Sequence, residues 1–494
     1  MEQVNVTING FTYKANKEDT LLQVALRNGI YIPHLCYHPD LSLSGICRLC
    51  IVEVGSGQLT IACKLNVREG MVVNTETEQV NKARRVNLEL LLVNHHMDCI
   101  ACSSSTNCQL QRAANHIGIT EDRLSRLRRP ERKLTVDDSN PFFLRDMNKC
   151  VLCGICVRTC AEIQGLNAID FGSRGFSTTI STFADKPLGE SICESCGECL
   201  VRCPVGALVP KKTEKPVRTV KTVCPYCGCG CAMYAGVRGE KLVSMRGVKS
   251  SIVNNGALCV KGRFGCDFVN SPERLKTPLI KKDGEFVQAT WEEALDLIAK
   301  EFSKYKGDQF AAFASAKITN EENYVIQKFA RAVMGTNNVD HCARLCHAPS
   351  VAGLAQSLGS GAMTNSIAEV GEAKCIFAIG TNTTVAHPII GLQVRKAAHK
   401  GAKLIVANPK VIDLCRDACL FLQFNPGTDV PLIQGMIKVI VDEGLHDEAF
   451  INERTERFEE YKKSLEQFDL DTVEKITGVP KEKIAEAARI YATA

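Results

Sequence analysis

The chain has 494 residues, 60 Lys and Arg against 55 Asp and Glu for a net charge of +5, and 26 cysteines. At about 150 residues per domain this length predicts three or more domains, and a hydrophobic fraction of 45% excludes an intrinsically disordered chain. The near-neutral balance gives no general reason to expect a nucleic-acid partner. No window approaches the ~18 apolar residues of a membrane span and no leader precedes the first strand, so the expected location is the cytoplasm. In that reducing compartment clustered thiols favour metal over disulfides.

Val4, Val6 and Ile8 alternate up to an Asn9-Gly10 turn signal, followed by Phe11 and Tyr13, which predicts two antiparallel strands. Thr20 can cap a helix over Leu21 to Arg27 that Gly29 ends. Twenty-one cysteines lie before residue 270 and five after it. Two charged stretches, Arg123 to Lys133 and Lys211 to Lys221, read as linkers or solvated faces. The first has none of the aromatic interleaving of a nucleic-acid patch. Beyond residue 275, amphipathic helices alternate with short apolar strands: Trp291 to Tyr305, Phe310 to Ala314, Asn320 to Met334, Cys375 to Ile379 and Leu404 to Ala407. This predicts a parallel α/β unit, with Thr319 and Glu322 as a capping box and Gly335 as a stop.

Cys36, Cys47, Cys50 and Cys63 are spaced C-x10-C-x2-C-x12-C, which suits a 2Fe-2S cluster, with a zinc site as the alternative. Behind a ββα start this resembles the β-grasp domain shared by the large iron–sulfur subunit of complex I, iron-only hydrogenases and NAD-linked formate dehydrogenases. His95-x3-Cys99-x2-Cys102-x5-Cys108 is similar to the 4Fe-4S site of the same families in which one imidazole replaces a thiolate, and His96 is the alternative ligand. A neutral ligand removes negative charge and should raise the potential.

Two runs follow, Cys150, Cys153, Cys156, Cys160 and Cys193, Cys196, Cys199, Cys203-Pro204. This is the two-cluster ferredoxin pattern, in which the fourth cysteine of each run serves the other cluster. Ala161 stands where the pattern has proline, which weakens the local turn. Cys224, Cys227 and Cys231, with Cys259 in Leu-Cys-Val-Lys-Gly-Arg-Phe, resemble the entrance 4Fe-4S domain of molybdopterin oxidoreductases, and Lys261 occupies the position that resemblance places between cluster and pterin. Cys229 falls off the spacing and reads as a bystander. So do Cys266, Cys342, Cys375, Cys415 and Cys419, the last two sharing a helix face.

The segment Asp340-His-Cys-Ala-Arg-Leu-Cys-His-Ala-Pro349 resembles formate dehydrogenases, whose Mo or W is held by cysteine or selenocysteine followed by histidine. The resemblance implies Cys346 as metal ligand and His347 as acid/base or electrostatic partner. A thiolate suits a high-valent metal, and a helix starting at Pro349 would favour an anion at its positive end. It further implies a molybdopterin guanine dinucleotide pair held at Gly380, Asn382, Asn408, Gly427, Thr428 and Asp429, where apolar strands end. The family's Asp-Pro-Arg is Asn408-Pro409-Lys410 here. No G-x-G-x-x-G suggests a nicotinamide or flavin site.

The expected class is multidomain α+β. In order come a β-grasp 2Fe-2S domain (1–78), a His/Cys3 4Fe-4S domain (79–119), a two-cluster 4Fe-4S ferredoxin (138–210), a 4Fe-4S domain (219–275) and part of the α/β molybdopterin module (276–494). In the family that module continues for several hundred residues, with a catalytic arginine and a C-terminal β-barrel, so a chain ending at Ala494 corresponds to its first half. The implied function is formate oxidation to CO2 with one 2Fe-2S and four 4Fe-4S clusters passing electrons to a flavin and iron–sulfur diaphorase-type subunit, a ferredoxin or a hydrogenase subunit. The rivals are a non-catalytic complex I-like electron-transfer subunit and an iron-only hydrogenase.

Overall fold

The computed structural model of the chain describes residues 2–127, 132–212 and 214–494. Val4, Val6 and Ile8 line the buried face of β1 (Gln3–Ile8). Asn9 and Gly10, at φ of +51° and +85°, turn the chain into β2 (Phe11–Asn16), its antiparallel neighbour. Thr20 and Gln23 form a capping box on α1 (Leu21–Arg27), which buries Leu21, Leu22, Val24 and Ala25 against the sheet. With β3 (Ile51–Val54), β4 (Gln58–Ile61) and β5 (Met71–Asn74) the order is β2-β1-β5-β3-β4, β1 running parallel to β5.

On α2 (Glu78–Leu92) the fully buried Arg84 donates to the Ile51 carbonyl at 2.7 and 3.0 Å and to Glu76, tying helix to sheet. Helices α3 (Gln109–Ile117) and α4 (Glu121–Leu127) follow. The stretch expected as a linker over Arg123 to Lys133 therefore begins as helix, and Arg123 donates to Glu89 on α2 at 2.9 Å. Residues 128–131 lie outside the described residues.

The ferredoxin-like region pairs β6 (Phe143–Arg145) with the later β9 (Leu208–Pro210). Between them lie α5 (Ile155–Arg158), the hairpin β7 (Asp170–Gly172) and β8 (Thr179–Ser181), and α6 (Glu198–Arg202). The second expected linker, Lys211 to Lys221, ends inside β10 (Arg218–Val223), a strand exposed along its length. It opens an antiparallel meander with β11 (Ala232–Arg238) and β12 (Lys241–Gly247), leading to α7 (Val260–Phe264).

A β13 (Leu279–Lys282) and β14 (Glu285–Gln288) hairpin precedes α8 (Trp291–Phe302), which stops three residues before the expected Tyr305. The strand expected from Phe310 pairs only as β15 (Ala312–Ala314). Next, α9 (Asn320–Lys328) carries the expected Thr319/Glu322 capping box and continues as a π turn to Val333 before Gly335 at φ +67°. Strand β16 (Val339–His341) pairs parallel with β15 and leads into α10 (Ala343–Cys346), α11 (Ala348–Leu358) and α12 (Ile367–Val370).

Then come β17 (Cys375–Ile379), α13 (Thr383–Ala386), α14 (Pro388–His399), β18 (Lys403–Ala407), β19 (Leu420–Leu422) and α15 (Asp429–Asp442). The chain finishes with α16 (Glu448–Arg454), α17 (Phe458–Ser464), α18 (Leu470–Thr477) and α19 (Lys481–Ala492). The sheet β17-β18-β19 is parallel. Along β18 the side chains alternate: Leu404 and Val406 pack with Val394 of α14, while Ile405 and Ala407 pack with α15 and α19. A strand covered on both faces is apolar throughout, as its sequence is. Cys415 lies in a 3-10 turn (Asp413–Arg416) while the Cys419 N–H bonds the Leu404 carbonyl, so they do not share a helix face; pairing with β18 pulls the chain out of helix before Cys419.

Candidate functional site

The thiols can be followed set by set along the chain. Around the first site Cys36 and Cys47 lie beside each other, the Cys47 N–H pointing at Cys36 Sγ at 3.5 Å, as do Cys50 and Cys63, and two such pairs fit the two irons a 2Fe-2S cluster would have. The hydrogen bond from Cys47 holds the Cys36 thiol down at about 5. All four are buried. Among the described residues no three His, Cys, Asp or Glu side chains converge closely enough to hold one metal ion.

In the ferredoxin-like region, Cys156 is repelled most by Cys153, Cys150 and Cys203, and Cys199 most by Cys196, Cys193 and Cys160. Cys160 of the first run lines one cavity with Cys193, Cys196 and Cys199 of the second. The backbone explains the grip: Leu152 and Ser195 both adopt the left-handed region, at φ +52° and +53°. Each thereby points its N–H at the first sulfur of its run, Cys150 at 3.3 Å and Cys193 at 3.4 Å. Burial pushes the Cys150 and Cys193 thiols up to about 11 and Cys231 up to about 12. Thiolates in these positions need positive charge among them, which iron supplies.

His95 is pushed down to about 4 by burial and the neighbouring His96 and Lys149 charges, and its Nδ1 is buried with no hydrogen-bond partner among the described residues. A neutral imidazole with an orphaned nitrogen fits a metal ligand. Its companions Cys99, Cys102 and Cys108 are more exposed, on the loop before α3. This loop abuts the ferredoxin-like region: the Gln109 N–H bonds the Pro204 carbonyl at 3.0 Å, and a Cβ on Gly206 would stand 2.6 Å from Cys102 Sγ.

Buried polar contacts link one set to the next. Arg158 donates to the Cys36 carbonyl at 2.6 Å, joining the first site to α5. Glu198, 1% exposed, pairs with Arg202 and with Arg263, which is 5% exposed, and accepts the Leu258 N–H at 2.9 Å. Arg263 Nε also donates to the Cys196 carbonyl at 2.7 Å. Gly197 makes this approach possible, since a Cβ there would lie 2.6 Å from Arg263 Cδ. The sequence singled out neither Arg263 nor Glu198; the signal available was an arginine two residues past Lys261.

Cys224, Cys227, Cys231 and Cys259 repel one another around the next site. Cys229 is buried with them, its sulfur facing the backbone N–H groups of Ile389 and Ile390 at the start of α14. From the helix begun by Cys259, Lys261 Nζ donates to the Val385 carbonyl of α13 at 3.1 Å. From the loop after β15, Lys317 Nζ donates to the Tyr226 carbonyl at 2.7 Å, another contact the sequence did not reveal.

Val385, on α13, follows the first of three loops that leave the C-terminal ends of β17, β18 and β19, the crevice where open parallel sheets bind ligands. Gly380 at φ +60° and Asn382 form the first, Asn408 the second, and Gly427, Thr428 and Asp429, leading into α15, the third. They are stitched together: Gly380 N–H bonds the Ala407 carbonyl at 2.9 Å, the Asn408 N–H bonds Leu422 at 3.1 Å, and Asn408 Nδ2 bonds Thr381 at 3.2 Å. Cys346 ends α10 and His347 begins α11 at its Ala348-Pro349 start, both side chains exposed. No hydrogen bond or ion pair among the described residues joins them to Lys261 or to the three loops.

Family models match in the same order: the 2Fe-2S iron-sulfur cluster binding domain over 1–78 and the NADH-ubiquinone oxidoreductase-G iron-sulfur binding region over 84–123. The NADH-quinone oxidoreductase subunit 3 ferredoxin-like domain spans 140–209, the molybdopterin oxidoreductase Fe4S4 domain 217–271 and the molybdopterin oxidoreductase 274–486. The chain carries a molybdopterin oxidoreductase domain behind a series of iron–sulfur domains. Curated relatives of the chain include "Probable oxidoreductase YjgC" of Bacillus subtilis (strain 168), 33% identical over 99% of this chain and 54% of that protein. Another is "Putative formate dehydrogenase SH0748" of Staphylococcus haemolyticus (strain JCSC1435), 33% identical over 100% of this chain and 55% of that protein. The chain spans about half the length of the curated relatives it matches. Among solved structures, an NAD+-reducing NiFe-hydrogenase in the H2-reduced state aligns with TM-score 0.39 and 33% identity, covering 42% of this chain and 87% of that one. Among the described residues no helix is long and apolar enough to cross a membrane.

Proposed function

We propose that the chain is the catalytic part of a formate dehydrogenase, performing HCOO− ⇌ CO2 + H+ + 2 e− and delivering the electrons through its iron–sulfur clusters to a partner in the cytoplasm. The single observation that carries this reading is the contact of Lys261 with Val385, which joins the last thiol set to the three loops at the strand ends. An electron relay that ends beside a nucleotide-type crevice is the arrangement a redox reaction at a pterin needs.

The clusters are one 2Fe-2S at Cys36, Cys47, Cys50 and Cys63, and four 4Fe-4S. The first of the four is held by His95, Cys99, Cys102 and Cys108, the second by Cys150, Cys153, Cys156 and Cys203. Cys193, Cys196, Cys199 and Cys160 hold the third, and Cys224, Cys227, Cys231 and Cys259 the fourth. Mo or W bis(molybdopterin guanine dinucleotide), when bound, supplies the two-electron acceptor. Gly380, Asn382, Asn408, Gly427, Thr428 and Asp429 would bind its pyrophosphates through backbone donors and helix starts. Cys346 would be the soft anionic metal ligand, and His347 would hold or take up the formate proton. Formate is chosen over other substrates of such modules by the Cys346-His347 pair and by the name of the relative quoted above. A flavin-containing diaphorase-type subunit or a ferredoxin is the acceptor that clusters of the complex I type suit.

In the holoenzyme, Cys346→Ala should abolish formate oxidation and leave every iron–sulfur EPR signal in place. Undiminished turnover would remove Cys346 from the reaction. Elemental analysis of the anaerobically purified holoenzyme should find Mo or W beside iron; iron alone would favour a non-catalytic electron-transfer subunit.

A further inference from the structure

The two ferredoxin-like runs differ just after their fourth cysteine. Cys203 is followed by Pro204, and α6 ends at Arg202 with Cys203 already extended at ψ 122°. Cys160 is followed by Ala161, and there the helix does not end: α5 continues as a π turn from Thr159 to Ile163, with the Gln164 N–H bonded to the Thr159 carbonyl at 3.2 Å. A proline at 161 would clash with the carbonyl of Val157, four residues back, and forbid this continuation. In an α-helix, residues five apart point about 140° away from each other, given 3.6 residues per turn. The wider π turn brings Thr159, Cys160 and Gln164 onto one face, and π turns concentrate at functional sites.

That face lines a buried cavity together with Cys193, Cys196 and Cys199, so the cavity holds all four thiols of one exchanged set. Thr159 is fully buried and Gln164 is 4% exposed. The Thr159 hydroxyl and the Gln164 amide nitrogen are both without a hydrogen-bond partner among the described residues. A helical threonine ordinarily bonds the carbonyl one turn back, and buried donors left unpaired are costly and rare. Two such donors beside four thiols imply acceptors inside the cavity. At the twin site the corresponding positions hold Arg202, whose terminal nitrogens pair with Glu198 and Asp40 while its Nε has no partner among the described residues, and Ala207, so neither the hydroxyl nor the amide is repeated there.

We propose that Thr159 and Gln164 donate hydrogen bonds to the sulfur atoms of the 4Fe-4S cluster held by Cys160, Cys193, Cys196 and Cys199, raising its reduction potential above the value it would otherwise have. Hydrogen bonds to cluster sulfur stabilise the reduced, more negative state. The cluster so tuned is the one that Arg263 ties to the helix of Lys261, so the two side chains are positioning residues at the step between the molybdopterin module and the rest of the relay. The proposal rests on the cluster reading given above.

The test is an EPR-monitored redox titration of the holoenzyme carrying Thr159→Val, Gln164→Met or both, with Thr159→Ser as the variant that keeps the hydroxyl. Each of the first two should lower the potential of one 4Fe-4S cluster and leave the others unmoved. The double variant should lose about tenfold in the reduction equilibrium constant, about 59 mV for a one-electron couple, while Thr159→Ser retains the wild-type potential. Unchanged potentials in both Thr159→Val and Gln164→Met overturn the proposal. Absence of the two ferredoxin-type 4Fe-4S signals from the wild-type protein would instead sink the cluster reading itself.

Discussion

Glu198 shows how much rests on single side chains. It is buried between Arg202 and Arg263, and its carboxylate also takes the Leu258 N–H. Removing one partner of a buried pair is far more damaging than replacing the whole pair, because the remaining charge is left uncompensated. Glu198→Ala should therefore cost about 3–5 kcal/mol, read as an earlier transition in anaerobic denaturant unfolding; a change below about 0.5 kcal/mol, the range of ordinary surface substitutions, would contradict this. Leu152 and Ser195 accept strained backbone for a local purpose, the N–H that each turns toward a sulfur. Neither was legible in the sequence, since a leucine and a serine carry no mark of a left-handed conformation. The cysteines themselves were legible, because spacing alone restricts which backbone turns can point four sulfurs inward.

Elements follow local rules wherever the pattern is strong. The Val4, Val6, Ile8 alternation and the Asn9-Gly10 turn gave β1 and β2, and the Thr319/Glu322 box starts α9. The misjudged stretches are those in which charge hides structure. Arg123 to Lys133 begins on a helix pinned to Glu89, and Lys211 to Lys221 runs into an exposed strand, whose polar side chains give no apolar period to detect. The turn after Cys160 was expected to weaken where proline is missing; instead the helix lengthens. Ala161→Pro should reverse this, costing about 3 kcal/mol or more and ending the helix near Cys160. Lower thermal stability and a perturbed EPR signal of the cluster at Cys160 are the expected readouts; wild-type values for both would show that the π turn is incidental.

Across the molecule, a few buried side chains join one unit to the next. Arg158 joins the loop of Cys36 to the ferredoxin-like region, Arg263 joins that region to the helix that Cys259 begins, and Arg395, 3% exposed, ties α14 to Glu194 at 2.7 Å. Lys261 completes the series at Val385. If it is the link between cluster and pterin, Lys261→Met in the holoenzyme should slow cluster reduction by formate at least tenfold, followed by stopped-flow absorbance, while dithionite still reduces all clusters. An unaltered rate with formate would remove Lys261 from the path.

By itself the sequence determined the kinds of iron–sulfur and molybdopterin domains, their order and the parallel α/β class of the last region. These depend on residue spacing and periodicity, which are local properties of the chain. Only the tertiary structure decided which arginines and glutamate bind the units together, and that Thr159 and Gln164 face a set of thiols. Those relations join residues tens to more than a hundred positions apart, or hinge on a single helical turn of unusual width, and no local period in the chain records either.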